Sequence, residues 1–175
     1  FMRPAELRRE ETHLDQLLEE VVAIARPQME RAGVQEEIHC VSLPPVHVDR
    51  ALLKQALINL VYNAIEAMPN GGRLTVAMDR RGDAVEISIA DTGVGIKPEH
   101  RARVFQLFFT TRPGGSGIGL ASAYKTVQLH EGSIDFESEA GRGTTFRIEL
   151  PLTHSASGGK LARSRAAGGV AASKV

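Results

Sequence analysis

Residues 55–68 read QALINLVYNAIEAM and lie at the centre of a strong helical pattern. Over Arg50–Met68 apolar residues recur every three or four positions, which predicts an amphipathic helix. Asp49 is suited to cap the start of this helix, and Pro69 begins a PNGG sequence that ends it. The apolar residues of the pattern are Leu52, Leu53, Ala56, Leu57, Leu60, Val61, Ala64 and Ala67.

The same segment carries a polar stripe, made of Gln55, Asn59, Asn63 and Glu66. Asparagine is unfavourable inside a helix, so two asparagines one turn apart lower stability unless they have a role. An amide oxygen is a suitable ligand for Mg²⁺, which prefers oxygen and keeps several of its waters. We therefore favour Asn63 as a metal ligand, and the competing interpretation is a polar face exposed to solvent.

A further helical pattern covers Leu14–Met29. Thr12 or Asp15 is its expected N-cap, and Pro27 is expected to end or kink it. A third helix is predicted over Leu120–His130, and a short one is expected within residues 98–108.

Alternating apolar residues predict the strands of a sheet. They lie within residues 33–43, 46–48, 74–78, 85–89, 134–136 and 146–150, with turns at residues 80–83 and 140–143. Consecutive hairpins exclude a simple repeat of strand, helix and parallel strand. The element order predicts an α+β sandwich, in which helices cover one face of a mixed sheet.

A glycine-rich loop, GGSGIGLASAYK at residues 114–125, precedes the last predicted helix. It lacks the GK[ST] of a P-loop and the third glycine of a dinucleotide-binding turn. The amides of Gly117, Ile118, Gly119 and Leu120 would lie at the positive end of the helix dipole, which suits a polyphosphate. Arg112 could reach a terminal phosphate as a forked donor. A flexible linker is the alternative.

Asp91 ends a predicted strand and is followed by two glycines in the sequence DTGVGI. A carboxylate in this place could accept a hydrogen bond from the amino group of a base. From these residues alone a plain Asp-Gly turn is the slightly better interpretation.

Four segments, in this order, resemble the motifs of the catalytic ATP-binding domain of sensor histidine kinases. QALINLVYNAIEAM resembles the asparagine box, DTGVGI the first glycine box, VFQLFFTT the phenylalanine box and GGSGIGLASAYKTVQLHEGSI the second glycine box. GRGTTFRIELP is similar to the closing hairpin, so the resemblance covers roughly Leu14–Leu152. It implies the Bergerat-type fold shared with gyrase, the Hsp90 chaperones and the mismatch-repair ATPases: a mixed, mostly antiparallel sheet covered on one face by about three helices.

The resemblance implies ATP and Mg²⁺ as the cofactors. Asn63 would coordinate Mg²⁺ with Asn59 beside it, and Asp91 would accept a hydrogen bond from the adenine amino group. Gly95 would back the base, and Thr145 would support it through water.

A lid over Thr110–Gly117 is also implied, anchored by Phe105 and Phe108, with Arg112 approaching the γ-phosphate. The implied catalytic residues are Asn59, Asn63 and Arg112. The implied nucleotide-binding residues are Asn59, Asn63, Asp91, Gly93, Gly95, Ile96, Phe105, Thr110, Thr111, Arg112, Ser116, Gly117, Ile118, Gly119, Leu120 and Thr145.

The sequence departs from some relatives at two positions. Hydrolytic members of the wider group carry a glutamate base where this chain has Asn59, and an amide cannot take a proton from water. Because it lacks this base, the chain is expected to present ATP to another acceptor rather than to hydrolyse it. Glu66 stands where some histidine kinases have a lysine near phosphate, which argues against a direct phosphate contact at this position.

None of the six histidines lies in the H-E-[IL]-x-x-P context of the family's phosphoacceptor. His130 is followed by Glu131, but the sequence continues into Gly132. The resemblance thus implies transfer of the γ-phosphoryl group to a histidine on a separate dimerisation domain, for relay to the receiver domain of a response regulator. An anti-sigma-type serine kinase and a regulatory nucleotide-binding module are the alternatives.

Three regions are expected: residues 1–11 as a linker after a missing dimerisation domain, 12–152 as the catalytic domain, and 153–175 as a flexible tail rich in Ala, Ser and Gly. Lys plus Arg and Asp plus Glu both number 21, so charge favours neither nucleic acid nor an anionic membrane as a partner. One cysteine suits a reducing compartment and excludes an internal disulfide. We expect a cytoplasmic domain of a homodimeric kinase, whether or not the full-length protein is anchored in a membrane.

Overall fold

The computed structural model describes residues 6–152, and their fold is the predicted sandwich of helices and a mixed sheet. The helices are α1 (Leu14–Ala32), α2 (Arg50–Glu66) and α3 (Gly119–Leu129), with a 3₁₀ helix at Pro98–Arg103. The strands are β1 (Glu10–Thr12), β2 (Val34–Cys40), β3 (Val46–Val48), β4 (Gly72–Arg81), β5 (Ala84–Asp91), β6 (Ser133–Glu139) and β7 (Gly143–Pro151).

Five of these strands form the main sheet in the order β2-β4-β5-β7-β6. Only β2 and β4 pair in parallel in this sheet, and the other neighbours are antiparallel, as expected. A separate two-stranded ribbon joins β1 to β3. The sheet therefore brings the end of β5 beside the start of β7, where Asp91 lies opposite Thr144.

One face of the sheet is apolar and packs against the helices. Alternate residues of β4, β5 and β7 are buried, whereas the residues between them are mostly polar or partly exposed. The buried strand residues are Leu74, Val76, Met78, Val85, Ile87, Ile89, Phe146, Ile148 and Leu150. They form one core with α1, α2 and α3, which confirms that the helices share a face.

Helix α1 starts at Leu14 as predicted, but its C-terminal end and its N-cap differ from the prediction. It continues through Pro27 to Ala32, because its buried stripe extends to Met29 and the proline lies on the exposed side. On this exposed side, water can bind the carbonyl oxygen that loses its helical hydrogen bond because proline has no N–H. The predicted N-caps are also wrong, since His13 occupies that position without a side-chain cap.

The boundary predicted after residue 11 falls within β1, whose Glu10 and Thr12 pair with Val48 and Val46. The expected tail, residues 153–175, and the first five residues lie outside the described part of the chain. Within residues 6–152, no helix combines the length and apolar character that crossing a membrane requires.

Asp49 joins the start of α2 to two other parts of the fold. Its carboxylate accepts hydrogen bonds from the amide of Leu52 at 3.1 Å, as predicted for a cap, and from the amide of Arg8 at 3.0 Å. Its own amide donates to Nε2 of His130 at 2.9 Å. Burial raises the pKa of Asp49, but the backbone amides that donate to its carboxylate outweigh burial, so the pKa lies below its ordinary value.

His130 is fully buried at the end of α3 and holds a defined tautomer. Its Nδ1 lies 2.7 Å from the carbonyl oxygen of Thr126, which can only accept, and its Nε2 accepts from Asp49. The ring is therefore neutral with its proton on Nδ1. Both nitrogens are engaged inside the core, so His130 has a structural role.

Replacing Asp49 by alanine should lower the free energy of unfolding by about 1–2 kcal/mol, because the N-cap of α2 and the partner of Arg8 are lost. Urea denaturation at pH 7 measures this difference. Since the folded-state pKa is lowered, the cap contributes fully above about pH 4 and is lost as pH falls further, so the wild type and variant should converge in acid. Asp83→Ala, on the exposed turn between β4 and β5, is the control. Equal stability of Asp49→Ala and wild type at pH 7 would contradict the capping role.

Candidate nucleotide-binding site

The polar stripe of α2 is engaged in contacts rather than left to solvent. Asn59 accepts a hydrogen bond from Nε2 of Gln55 at 3.1 Å and donates from Nδ2 to the carbonyl oxygen of Gly119 at 3.2 Å. This second bond joins residues 60 positions apart and seats the start of α3 against α2. The glycine-rich loop is thereby held beside the asparagines.

Arg112 reaches back to the last turn of α2 and forms a contact that we call the Arg112 clamp. Its Nη2 donates to the main-chain oxygen of Asn63 at 3.0 Å and to Oδ1 of the same residue at 2.8 Å. Its Nη1 forms an ion pair with the carboxylate of Glu66. The side-chain oxygen of Asn63 therefore faces a positively charged group.

Asp91 is buried at the end of β5, with 6% of its surface exposed. Its Oδ1 accepts from the amides of Gly93 at 2.8 Å and Thr144 at 3.3 Å. Both donors use the same oxygen, so Oδ2 can accept a hydrogen bond from a ligand. Burial raises the pKa of Asp91 above its ordinary value, although the two amides and the charge of Arg112 oppose this.

Thr144, rather than the expected Thr145, lies against Asp91. Asp91 and Thr144 are register partners, and the hydroxyl of Thr144 lies 2.8 Å from that of Ser138. Thr145 points to the opposite face of β7 because side chains alternate along a strand. The threonine beside Asp91 is therefore Thr144, and not Thr145 as the resemblance implied.

The loop after Asp91 is held by its backbone. The amide of Val94 donates to the carbonyl oxygen of Ala67 at 2.9 Å, and the amide of Ile96 donates to Oγ of Ser138 at 2.8 Å. Gly95 has φ +69°, and a Cβ there would collide with the backbone of Glu139. Only glycine suits this position, where the loop packs closely on the backbone of Glu139.

Phe105 is the aromatic anchor of the lid, residues 110–117. Its ring packs against those of Tyr124, Phe136 and Phe146, with centroids 5.2, 5.9 and 6.1 Å away. Phe108, expected as a second anchor, is instead 74% exposed. The backbone of Phe108 has φ +63° and contacts the end of the lid in place of the ring. Its amide donates to the carbonyl oxygen of Gly117 at 2.9 Å.

The lid ends at the start of α3. Gly117 has φ +65° and packs on the backbone of Phe108, where a Cβ would clash. Ile118 is the N-cap, and its side chain makes no capping hydrogen bond. The first-turn amides of α3 therefore point out of the helix without a capping acceptor. The amide of Ile118 itself is 3.4 Å from Oγ of Ser116.

The other lid residues also have defined places. Thr110 accepts a hydrogen bond from the amide of Arg112 at 3.1 Å through its hydroxyl, which orients the arginine. Thr111 is exposed, and Leu120 is partly buried against the core.

Helix α2 connects the separate motifs through successive contacts. Asn59 holds α3, Asn63 holds the lid and Ala67 holds the first glycine loop. The sequence did not single out Ala67, whose contribution is a carbonyl oxygen. It also missed Thr144, although its spacing from the apolar Phe146 would have placed it on the inner face.

A family model described as histidine kinase-, DNA gyrase B- and HSP90-like ATPase matches residues 48–154. The chain belongs to this family, as a catalytic ATP-binding domain of the histidine kinase type.

Individual relatives agree with this assignment. Sporulation kinase E of Bacillus subtilis (strain 168) is 36% identical over 158 residues, which cover 88% of this chain and 21% of the relative. Full-length ShkA in complex with AMPPNP superposes with a TM-score of 0.79 and 29% identity, covering 89% of this chain and 33% of that one. Histidine kinase ThkA in complex with the response regulator TrrA has a TM-score of 0.72 and 29% identity, covering 83% and 42%. The chain thus spans about a fifth of Sporulation kinase E.

Titration of the Asp91 carboxyl carbon by NMR in the nucleotide-free protein should give a pKa above the ordinary value of about 3.9. Arg112→Ala should raise this pKa further, because a nearby positive charge favours the ionised carboxylate. Arg26→Ala is the control, since Arg26 pairs with Glu36. An Asp91 pKa at or below the ordinary value would contradict the dominance of burial.

Proposed function

We propose that this domain binds Mg-ATP and donates the γ-phosphoryl group to a histidine on the dimerisation domain of a longer kinase. The observation that carries the proposal is Asp91, a buried carboxylate with one oxygen held by two amides and the other able to accept from a ligand. An adenine amino group supplies the donor that this oxygen lacks. The AMPPNP complex of the similar ShkA chain supports a nucleotide at this fold.

The proposed nucleotide contacts form two groups, one around the base and one around the phosphates. On the base side, Asp91 accepts from adenine, while Gly93, Gly95, Ile96 and Phe105 shape the surface around the base. On the phosphate side, the proposed contacts are Asn59, Asn63, Thr110, Thr111, Arg112, Ser116, Gly117, Ile118, Gly119 and Leu120.

Asn63 fits Mg²⁺, because its amide oxygen already holds the positively charged Arg112. Bound Mg²⁺ would neutralise phosphate charge and orient the transferring group. The protein itself positions the nucleotide, and Arg112 adds a forked donor for phosphate oxygens.

The side chain of Asn59 favours transfer of the phosphoryl group to an acceptor over hydrolysis of ATP. Its amide is engaged with Gln55 and with the carbonyl oxygen of Gly119, and an amide has no basicity with which to activate water. A site without a base at this position favours an acceptor that brings its own nucleophile.

The proposed acceptor lies on another domain. His130 is buried with both nitrogens engaged, which suits a structural residue and not a phosphoacceptor. The ThkA complex with TrrA supports the receiver domain of a response regulator as the next partner. We also propose a homodimeric, cytoplasmic catalytic region, with no nucleic acid or membrane contact from this domain.

Asp91→Asn should weaken ATP binding about 10- to 100-fold, because the adenine amino group loses a charged acceptor. Calorimetric titration with Mg-ATP measures the change. Thermal unfolding of the same variant is the matched control: it should be as stable as wild type or more so, since the raised pKa shows that the ionised carboxylate is disfavoured in the fold. Unchanged affinity in a folded variant would refute the adenine role.

Asn63→Ala should abolish the Mg²⁺-dependent part of ATP binding and phosphorylation of a supplied dimerisation domain. Asn70→Ala, on the exposed turn after α2, should behave as wild type. Phosphorylation of the acceptor by Asn63→Ala at the wild-type level would contradict the assignment of Asn63 as a metal ligand.

Acid treatment of the labelled acceptor identifies the transferred group. Phosphohistidine is acid-labile, so loss of label supports the proposal, whereas acid-stable label indicates an anti-sigma-type serine kinase. Nucleotide binding without label on any acceptor would indicate a regulatory module.

A further inference from the structure

Glu66 belongs to the α2 polar stripe, and the proposed reaction gives it no role. It lies one turn from Asn63 and pairs with Nη1 of Arg112. The pair is partly exposed, with 35% of the Arg112 side chain and 48% of the Glu66 side chain accessible. Glu66 therefore touches the lid while its own position is set by the rigid helix.

The Arg112 clamp holds a lid that is otherwise largely exposed. Thr111 and Pro113 on either side of the arginine are exposed, as are Gly114, Gly115 and Ser116. At its base the lid is closed by the bond from the amide of Phe108 to Gly117. Between these points, the guanidinium joins the lid to α2 through three acceptors on Asn63 and Glu66.

The clamp and the proposed nucleotide site compete for one atom. Oδ1 of Asn63 accepts from Nη2 of Arg112 at 2.8 Å, and the same oxygen is the proposed Mg²⁺ ligand. A divalent cation and a guanidinium at that separation from a shared oxygen repel each other strongly. Mg²⁺ can bind Asn63 only after Arg112 leaves, and the negative charge of Glu66 opposes that departure.

We propose that Glu66 is a positioning residue that retains Arg112 on Asn63 in the nucleotide-free protein, and that Mg-ATP binding must release this contact. The inference rests on the proposed function of Asn63 and Arg112. Release frees the guanidinium for the phosphates, so Glu66 sets the Mg-ATP concentration at which the lid changes position. The carboxylate acts through Arg112 and does not contact the nucleotide.

Glu66→Gln tests the first part without nucleotide. We expect lower ¹⁵N order parameters for lid residues 114–117 in this variant, as in Arg112→Ala. Glu36→Gln removes the same charge from the Arg26 pair between α1 and β2 and should leave the lid unchanged. Lid order in Glu66→Gln equal to that of wild type would overturn the proposal, whether or not the protein binds ATP.

Mg-ATP titration tests the competition. We expect Glu66→Gln to bind Mg-ATP roughly two- to fivefold more tightly than wild type, the range for one partly exposed ion pair. The gain should vanish in an Arg112→Ala background, as a double-mutant cycle requires for a pairwise effect. It should be smaller with ATP in EDTA, where the phosphates still attract Arg112 but no metal competes for Asn63.

A simple charge effect gives the opposite pattern. If Glu66 only repelled the phosphates, the gain would persist without Arg112 and would be larger without Mg²⁺, and either result overturns the proposal. Absence of ATP binding by wild type would instead refute the proposed function, while lid relaxation would still report whether Glu66 holds Arg112.

Discussion

The packing of α2 against the sheet determines where every group of the proposed site lies. Leu53, Leu57 and Leu60 are fully buried on its inner side, so the helix cannot rotate without opening the core. Its polar stripe therefore faces α3 and the lid, and Ala67 at its C-cap contacts the first glycine loop. Residues far apart in the sequence become neighbours because one helix contacts each of them.

The site carries features that do not favour a stable fold. A buried carboxylate with a raised pKa lies at the end of β5, and Phe108 adopts a positive φ at the base of the lid. An exposed phenylalanine adds no burial of apolar surface there. These features are offset by the core of α1, α2 and the sheet, and such unfavourable local features are typical of a ligand site.

The sequence predicted those parts of the fold that local chemistry controls. The apolar period of α2, the Asp49 cap and both hairpins depend on residues close in the chain, and each is present. Pro27 was misleading because the buried stripe of α1 continues past it to Met29. Helix packing thus overrode a local breaker.

The site motifs were recognisable, but their contacts were not. Asp91, Asn63 and Arg112 were all candidates, yet nothing in their spacing shows that Arg112 rests on Asn63. That contact depends on the path of the lid, and the lid path depends on the unusual backbone at Phe108 and Gly117. The resemblance implied Thr145, whereas the pairing of β5 with β7 places Thr144 opposite Asp91, and adjacent residues of a strand face opposite sides.

Charge balance around α2 connects the Arg112 clamp to the proposed reaction. Arg112 pairs with Glu66, and its charge also opposes the rise in the pKa of Asp91 that burial causes, so one cation serves two carboxylates. If the guanidinium turns toward phosphate, both carboxylates lose that compensation, while a polyphosphate adds further negative charge. Mg²⁺ at Asn63 would restore positive charge at the position that Arg112 vacates. The nucleotide and its metal are thus expected to bind together, because either one alone leaves the charges around α2 unbalanced.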